Sequence, residues 1–392
     1  MTSSTPSDRI QVVDALRGFA IVAILLLHNL EHFDFWYFPQ GFPAWLVGLD
    51  KGIWNTMFFL FSGKAYGIFA LLFGFTFYIQ QYRQNLIGKD FRGRFAWRLI
   101  LLLGFGTLNS CFYQGDILTI YAILGFTLIP VAKLNNKTVL IIAIILLLQP
   151  LEIVKFILAL LQPGQALPAL SPDPYFAKMA DYIPNGSLLD VIKGNLTNGK
   201  IGVSIWTWQS GRVFQTPGLF MVGMLLGRTR KFIKSNETKQ FWKKILLFAT
   251  IAFIPLYLLK ISVNETVVTD AVQFTSLALM IKSWSDLAFM TILVSGFVLL
   301  YQYTELHDLL EKFSVLGKMS MSNYIIQSML GAIIYYGFGM GAYLYTGASF
   351  SLLIGILLMI TQWILCKYWL KDHRYGPFEG IWHDLTWIGS RK

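Results

Sequence analysis

Charge is scarce in this sequence. Only 14% of its 392 residues are Asp, Glu, Lys or Arg, against about 25% in ordinary soluble domains. With 55% hydrophobic and 16% aromatic residues, there is more apolar surface than an aqueous fold of this size buries, so the bilayer is read as the solvent. A polar segment long enough to fold separately is missing too. Apolar blocks recur from residue 12 to residue 370, which excludes the two or three soluble domains that length alone suggests. Cysteine is nearly absent: Cys111 and Cys366 sit far apart in apolar stretches and offer no disulfide framework, redox pair or metal spacing. There is no internal repeat, and Gly63/Gly67 and Gly223/Gly227 have ordinary helix-packing spacing.

What charge there is runs to +11. The basic residues stand in short tracts beside apolar spans, so they argue for a positive-inside bias and not for nucleic acid as a partner. Arg9 and Arg17 precede the apolar run 18–27, but no small-residue cleavage pattern follows, and the run is read as an uncleaved first span.

A hydrocarbon core of ~30 Å needs about 20 helical residues. The sequence predicts an all-α polytopic bundle, one membrane domain over 1–392, with about ten spans near 12–31, 54–81, 95–112, 116–132, 138–161, 212–228, 244–262, 284–303, 316–338 and 349–370. Loops rich in Lys and Arg, at 83–94, 133–137 and 228–244, fall on one side, and the tail with Lys367, Lys371, Arg374, Arg391 and Lys392 joins them. Both termini are therefore expected in the cytoplasm. The proline-rich 162–211 segment is the sizeable extracytoplasmic piece, extended at its start, with a short amphipathic helix near 186–197 and an interfacial end at Trp206 and Trp208. The tail from His373 is expected to fold on the cytoplasmic face.

Charged groups deep in a bilayer cost at least ~2.5–3.5 kcal/mol each, so those present face a cavity or one another. Asp14 and Arg17 open the first span, and His28 follows Arg17 by eleven residues. Eleven steps of about 100° return to nearly the same helix face, about 16 Å along the axis. That stripe holds a fixed cation near the cytoplasm and a titratable base farther out, suited to anchoring an anionic donor and moving a proton. The plain structural reading pairs Asp14 with Arg17 and gives His28 to a neighbouring helix. Lys64 lies too deep in the second predicted span to snorkel; it implies an anion-holding cavity or an inward carboxylate such as Asp116. It is no phosphate-loop lysine, because Phe58 stands at the first glycine position and Ala65 follows it.

Asp116 opens the fourth predicted span, where it is either a helix cap or the group that orients His28. Glu31 and His32 rival it as partners of His28, and His28 with His32 is not read as a metal site. In the ninth predicted span Asn323 and Gln327, four apart, either glue helices or line a cavity.

These residues carry a resemblance. Asp14-Ala-Leu-Arg17-Gly-Phe-Ala with His28, Phe61-Ser-Gly-Lys64 through Leu72-Phe73-Gly74, Gly115-Asp116-Ile-Leu-Thr-Ile-Tyr-Ala, Gly317-Lys-Met-Ser-Met-Ser-Asn323-Tyr-Ile-Ile-Gln327-Ser and Tyr375-Gly-Pro-Phe-Glu379 resemble, in order and over nearly the whole chain, the YeiB-like bacterial membrane proteins. That family is grouped with the transmembrane acyltransferases, so the resemblance implies acyl transfer at the bacterial plasma (inner) membrane. The surface-sugar acyltransferases share the arginine, ten residues, histidine spacing that Arg17 and His28 show. Many YeiB-like proteins have asparagine at the position of His28, and family members often carry a tryptophan and an arginine where this chain has Gly380 and His383.

The resulting expectation is an acyltransferase with no bound cofactor or metal, using cytoplasmic acyl-CoA as co-substrate. A small-molecule or glycan acceptor, through its hydroxyl or amine, receives the acyl group at the outer side. Arg17 and Lys64, with Asp14, would hold the donor; His28 would be base or acyl carrier, Asp116 its orienter, and Asn323 and Gln327 would line the cavity. A permease or exporter of a small anion and a non-catalytic sensor or assembly partner are the rival classes, and a homodimer stays open.

Overall fold

A computed structural model describes residues 10–164 and 170–389. Arg9, Pro168, Arg391 and Lys392 lie outside the described residues. Among those described the secondary structure is helical, with no strand.

Helix α1 (Gln11–Leu30) is an unbroken run of Ala, Val, Ile and Leu with no interior proline, as the first predicted span required. The second departs from its prediction. It begins earlier, as α2 (Ala44–Phe61), and is broken from α3 (Ala65–Leu86) at 62–64, where Gly63 has φ 76°. That left-handed backbone suits only glycine freely, and it makes Lys64 the N-cap of α3 instead of a mid-helix residue. Then follow α4 (Arg92–Ser110), α5 (Ile117–Gly125), whose N-cap is Asp116, and the short α6 (Leu128–Val131). The fifth predicted span is two helices, α7 (Asn136–Leu147) and α8 (Pro150–Leu161), bent by 49°. Pro150 explains the break, since it lacks an N–H and disfavours a helical residue before it; Gln149 has φ 62°.

Between 162 and 211 lie α9 (Asp173–Ala177), α10 (Met179–Tyr182), α11 (Leu188–Gly194), a π-helical turn (Asn195–Gly199) and α12 (Lys200–Gln209). The short helix predicted near 186–197 is there, its start fixed by a Ser187/Asp190 capping box. Of the start expected to be extended, residues 165–169 lie outside the described residues, and Pro174 falls in the first turn of α9, where a missing N–H costs nothing. Helix α13 (Arg212–Arg228) matches prediction, whereas α14 (Asn236–Ser262) and α15 (Ala271–Tyr303) begin well before 244 and 284 because Ser235 and Asp270 cap them. Met319 separates α16 (His307–Lys318) from α17 (Ser320–Tyr335), so the ninth predicted span, 316–338, is mostly α17 preceded by the last residues of α16. Helices α18 (Ala348–Asp372) and α19 (Pro377–Thr386) close the chain.

Five segments are long and apolar enough to cross a membrane: α1, α2 with α3, α14, α15 and α18; the bent α7–α8 pair makes a sixth. Along α14, Leu247, Phe248, Ile251, Ile254 and Leu258 are each more than half exposed. No water-soluble fold presents such a stripe without a partner, whereas lipid solvates it at no cost. This is a membrane protein.

Two close crossings set the interior. A Cβ on Gly18 of α1 would stand 1.8 Å from the Phe313 carbonyl oxygen of α16, and one on Gly317 would stand 1.8 Å from that of Asp14. Helices α3 and α13 cross in the same way at Gly74 and Gly223. Helix α19 lies against the starts of α4 and α17: Arg94 Nη1 donates to the Thr386 carbonyl at 2.8 Å and Trp382 Nε1 to that of Arg98 at 3.1 Å. The tail is therefore folded on the bundle end where α1 begins.

Candidate functional site

Along α1, Arg17, Ile21 and Ile24 share one face, and that face lines a cavity of about 450 Å³. Its mouth carries Arg17, Arg83, Arg98, Lys318 and His383, with Glu379 as the counter-charge; its walls are Ile21, Leu72, Phe73 and Leu102; its inner end is Ile117, Tyr121 and Tyr324. Cations at the mouth and hydrocarbon beyond suit an elongated ligand with an anionic head and an apolar tail. Arg17 is fixed by Asp14 at 3.0 Å and by the Thr76 hydroxyl at 3.0 Å. Arg98 donates to Thr386 Oγ1 at 3.0 Å and lies 3.9 Å over the Trp382 ring.

Helix α17 reaches the cavity because α19 holds its first turn. Glu379 accepts the backbone N–H groups of Met321 and Ser322 at 2.7 and 3.1 Å, and the Ser322 hydroxyl as well. Burial pushes the Glu379 carboxyl above its usual value, while the hydrogen bonds from Ser322 and Met321 pull it back.

Just beyond the inner end stands His28, its ring 6.3 Å from that of Tyr324. His28 Nε2 is 3.1 Å from the Tyr113 hydroxyl, and that hydroxyl donates to Asp34 Oδ1 at 3.4 Å. If Tyr113 donates to the carboxylate, its oxygen accepts from His28, which fixes the proton on Nε2 and leaves the Nδ1 lone pair available. Nδ1 is buried and has no hydrogen-bond partner among the described residues. Arg212 lies 3.9 Å over the Tyr66 ring and 4.2 Å over that of Trp206. Burial raises Asp34 to about 7, against the opposing pull of the Tyr113 hydrogen bond, the Arg212 charge and the Gly115 N–H. Glu31, capping the end of α1, is likewise raised by burial and by the nearby Asp34.

The predicted residues divide. Asp14, Arg17 and His28 lie as the helical stripe required, with Asp14 and Arg17 paired as the plain reading had it. Asp116 is not the orienter of His28. Its carboxylate caps α5, accepting from Leu118 N at 3.2 Å and Thr119 N at 2.8 Å, and is further taken up by Asn109 at 2.9 Å and Lys200 at 3.7 Å; the orienting position belongs to Tyr113. Lys64 does not face the cavity either, because it ion-pairs with Asp286 at 2.8 Å, and its carboxylate partner is not Asp116. Asn323 does not line the cavity: its amide donates to the Leu316 carbonyl at 3.1 Å across the α16–α17 break and accepts from Cys366 at 3.3 Å. Gln327, one turn beyond Tyr324, is fully buried with neither amide atom hydrogen-bonded among the described residues. His32 is held by Ser351 at 2.9 Å and Thr346 at 3.2 Å, and stacks on Tyr335.

Sequence reasoning missed Asp34, Tyr113, Arg98 and Arg212. A signal existed for Arg212: it is the one arginine that the predicted topology puts on the outer side, against the positive-inside bias. Nothing in the spacing of Tyr113 ties it to His28.

Residues 226–389 match the family described as "Protein of unknown function (DUF418)". The whole chain is similar to "Uncharacterized protein YxaH" of Bacillus subtilis (strain 168), 28% identical over 99% of this chain and 97% of that protein. It is also 24% identical to "Uncharacterized protein YeiB" of Escherichia coli (strain K12), over 97% of this chain and 96% of that one. The chain is thus similar over nearly its whole length to YeiB and YxaH. A third relative, the "Uncharacterized 39.9 kDa protein in amylase 3'region" of Bacillus acidopullulyticus, is 24% identical over 97% of this chain and 94% of its own length. No solved structure matches. The segment matched by the family contains Glu379 and its cap on α17 but neither Arg17 nor His28; those lie in the part covered by the full-length relatives.

Proposed function

We propose that this YeiB-like protein is a transmembrane acyltransferase of the bacterial plasma membrane, taking an acyl group from cytoplasmic acyl-CoA to a hydroxyl or amine on a small-molecule or glycan acceptor at the outer side. The observation that carries the reading is the cavity whose arginine-lined mouth and apolar walls end one side chain short of His28. Arg17, Arg83 and Arg98 bind the phosphates of the donor, and the walls take its pantetheine and acyl parts. The acceptor oxygen or nitrogen attacks the thioester carbonyl and its proton passes to His28 Nδ1; the carbon–sulfur bond breaks, and the proton returns to the leaving thiolate. Tyr113 and Asp34 keep His28 in the tautomer that accepts.

The reading includes the topology: one membrane domain of ten spans, both termini cytoplasmic. The broken pairs α2–α3, α5–α6, α7–α8 and α16–α17 then each count as one span, and the shared end of α1 and α19 fits an even number of crossings. The basic tracts at 83–94, 133–137 and 228–244 mark that end as cytoplasmic.

Thermal unfolding of the purified protein with acetyl-CoA and longer acyl-CoAs, beside Arg17→Ala and Arg98→Ala, tests donor binding. Ligand at a hundred times its dissociation constant stabilises by about 2.7 kcal/mol. A shift lost in both variants supports the reading. No shift with any acyl-CoA, together with unmodified substrate accumulating in proteoliposomes, would replace it with a permease.

A further inference from the structure

Away from the cavity, Lys64, Lys260 and Lys282 crowd a single carboxylate. Lys64 Nζ is 2.8 Å and Lys260 Nζ 3.6 Å from Asp286 Oδ1, and Lys282 Nζ is 3.0 Å from Oδ2. None of the three forms an ion pair with another carboxylate among the described residues. Asp286 offsets one charge, so the cluster carries two positive charges that no carboxylate in it balances.

The excess faces outward. Lys64 and Asp286 are buried, but the Lys282 side chain is 60% exposed and that of Lys260 33%. Lys260 is in the last turn of α14, at the bundle end opposite the basic tract before that helix, which is the level of lipid headgroups. From there a cluster of packed aromatic rings runs along the same face where α2 meets the α14–α15 hairpin. Phe59 stands 5.6 Å from Tyr257 and 5.1 Å from Phe289, and Phe253 5.0 Å from Phe289, ring to ring. Phe59 is 39% exposed. Two unbalanced cations at headgroup level above a partly exposed aromatic surface match one kind of ligand: an anion carrying a hydrocarbon chain, already dissolved in the membrane.

We infer that Lys260 and Lys282, backed by Lys64, bind the phosphate of an anionic membrane lipid whose acyl chain lies along Phe59, Phe253, Tyr257 and Phe289. The lipid phosphate supplies the counter-charge that Asp286 alone does not, and its position beside the α2–α3 break ties α2 to the hairpin. None of this depends on acyl transfer.

Native mass spectrometry of the detergent-purified full chain, exchanged into phosphatidylglycerol, cardiolipin or phosphatidylcholine, reads the site directly. Two interfacial lysines predict about tenfold or more retention of the anionic lipids over phosphatidylcholine. K260Q/K282Q should lose that preference and K260R/K282R keep it, which separates the site from a folding defect. Equal retention of phosphatidylcholine by the wild type, or a preference that survives in K260Q/K282Q, overturns the assignment. So does a thermal shift with inorganic phosphate, abolished in K260Q/K282Q, without any lipid preference, because the ligand would then be a soluble anion.

Discussion

Glu379 and Ser322, 57 residues apart in sequence, close the start of α17 together: the carboxylate takes the backbone N–H and the hydroxyl of Ser322, and the Ser322 hydroxyl accepts the backbone N–H of Phe378 at 3.1 Å. The exchange satisfies donors at a helix start that would otherwise be orphaned and locks the tail helix against the cavity mouth. Glu379→Ala should lower stability by about 1–2 kcal/mol, the usual cost of a lost cap, while Glu379→Gln, which keeps an acceptor oxygen, should lose less. Thermal unfolding in detergent distinguishes them. Equal melting of all three proteins would mean that the tail is held by its other contacts, such as those of Arg94, Arg98 and Trp382, and not by the Glu379 cap.

The Lys64–Asp286 pair makes an asymmetric prediction. Removing Lys64 leaves Asp286 with Lys260 and Lys282, but removing Asp286 leaves three lysines without a carboxylate. Asp286→Ala should therefore destabilise by about 3–5 kcal/mol, the cost of orphaning a buried charge, and Lys64→Met by clearly less. Lys64→Met combined with Asp286→Asn should recover part of the loss. Accumulation in the membrane and the melting temperature in detergent report the order; Lys64→Met proving the worse variant would refute it.

The same pair marks the limit of what the sequence made legible. Hydropathy found α1, α13 and α18 nearly at their observed ends, because long apolar runs without breakers have one way to satisfy their backbone in lipid. It joined α2 to α3 and α7 to α8, because a short polar break at Gly63-Lys64 or Gln149-Pro150 does not end a long apolar stretch by composition, and it ran the ninth span across the Met319 break between α16 and α17. Asp286 went unnoticed because α15 was placed from 284, which made it an end residue. The observed start at Ala271 puts it midway along the helix. Arg17 and His28 were legible since both lie on one helix, whereas the Tyr113 and Asp34 contacts join loop residues that no periodicity relates.

Asp34 sets opposite pH slopes for stability and activity. Burial holds its carboxyl at about 7 in the folded protein, whereas an unfolded aspartate titrates near 3.9. The folded state thus binds the proton more tightly. Its contribution to stability is full below about pH 4 and is lost as pH rises through 7. The melting temperature should fall from pH 5 to 8, and Asp34→Asn should flatten the slope, leaving the part due to other raised carboxyls such as Glu31 and Glu379. Acyl transfer should rise over the same interval, because the ionised Asp34 accepts from Tyr113. A wild-type melting temperature independent of pH in this window would remove Asp34 from the relay.

The relay itself separates proton acceptance from positioning. His28→Ala removes the unpartnered ring nitrogen just beyond the inner end of the cavity, so acyl transfer should fall by about 10²–10⁴-fold, the usual contribution of a general base, while the thermal shift with acyl-CoA persists. Tyr113→Phe keeps the ring, which packs 4.6 Å from that of His28, and removes only the hydroxyl. The histidine stays in place with its tautomer no longer specified, so kcat should drop by less than in His28→Ala with little change in donor KM, and the rise in rate through pH 7 should disappear because Asp34 is disconnected from His28. Initial rates with a saturating hydroxyl acceptor across pH 5–8 read both variants together. If Tyr113→Phe lowers the rate but keeps the wild-type pH profile, the tyrosine acts through packing alone and the tautomer assignment for His28 falls.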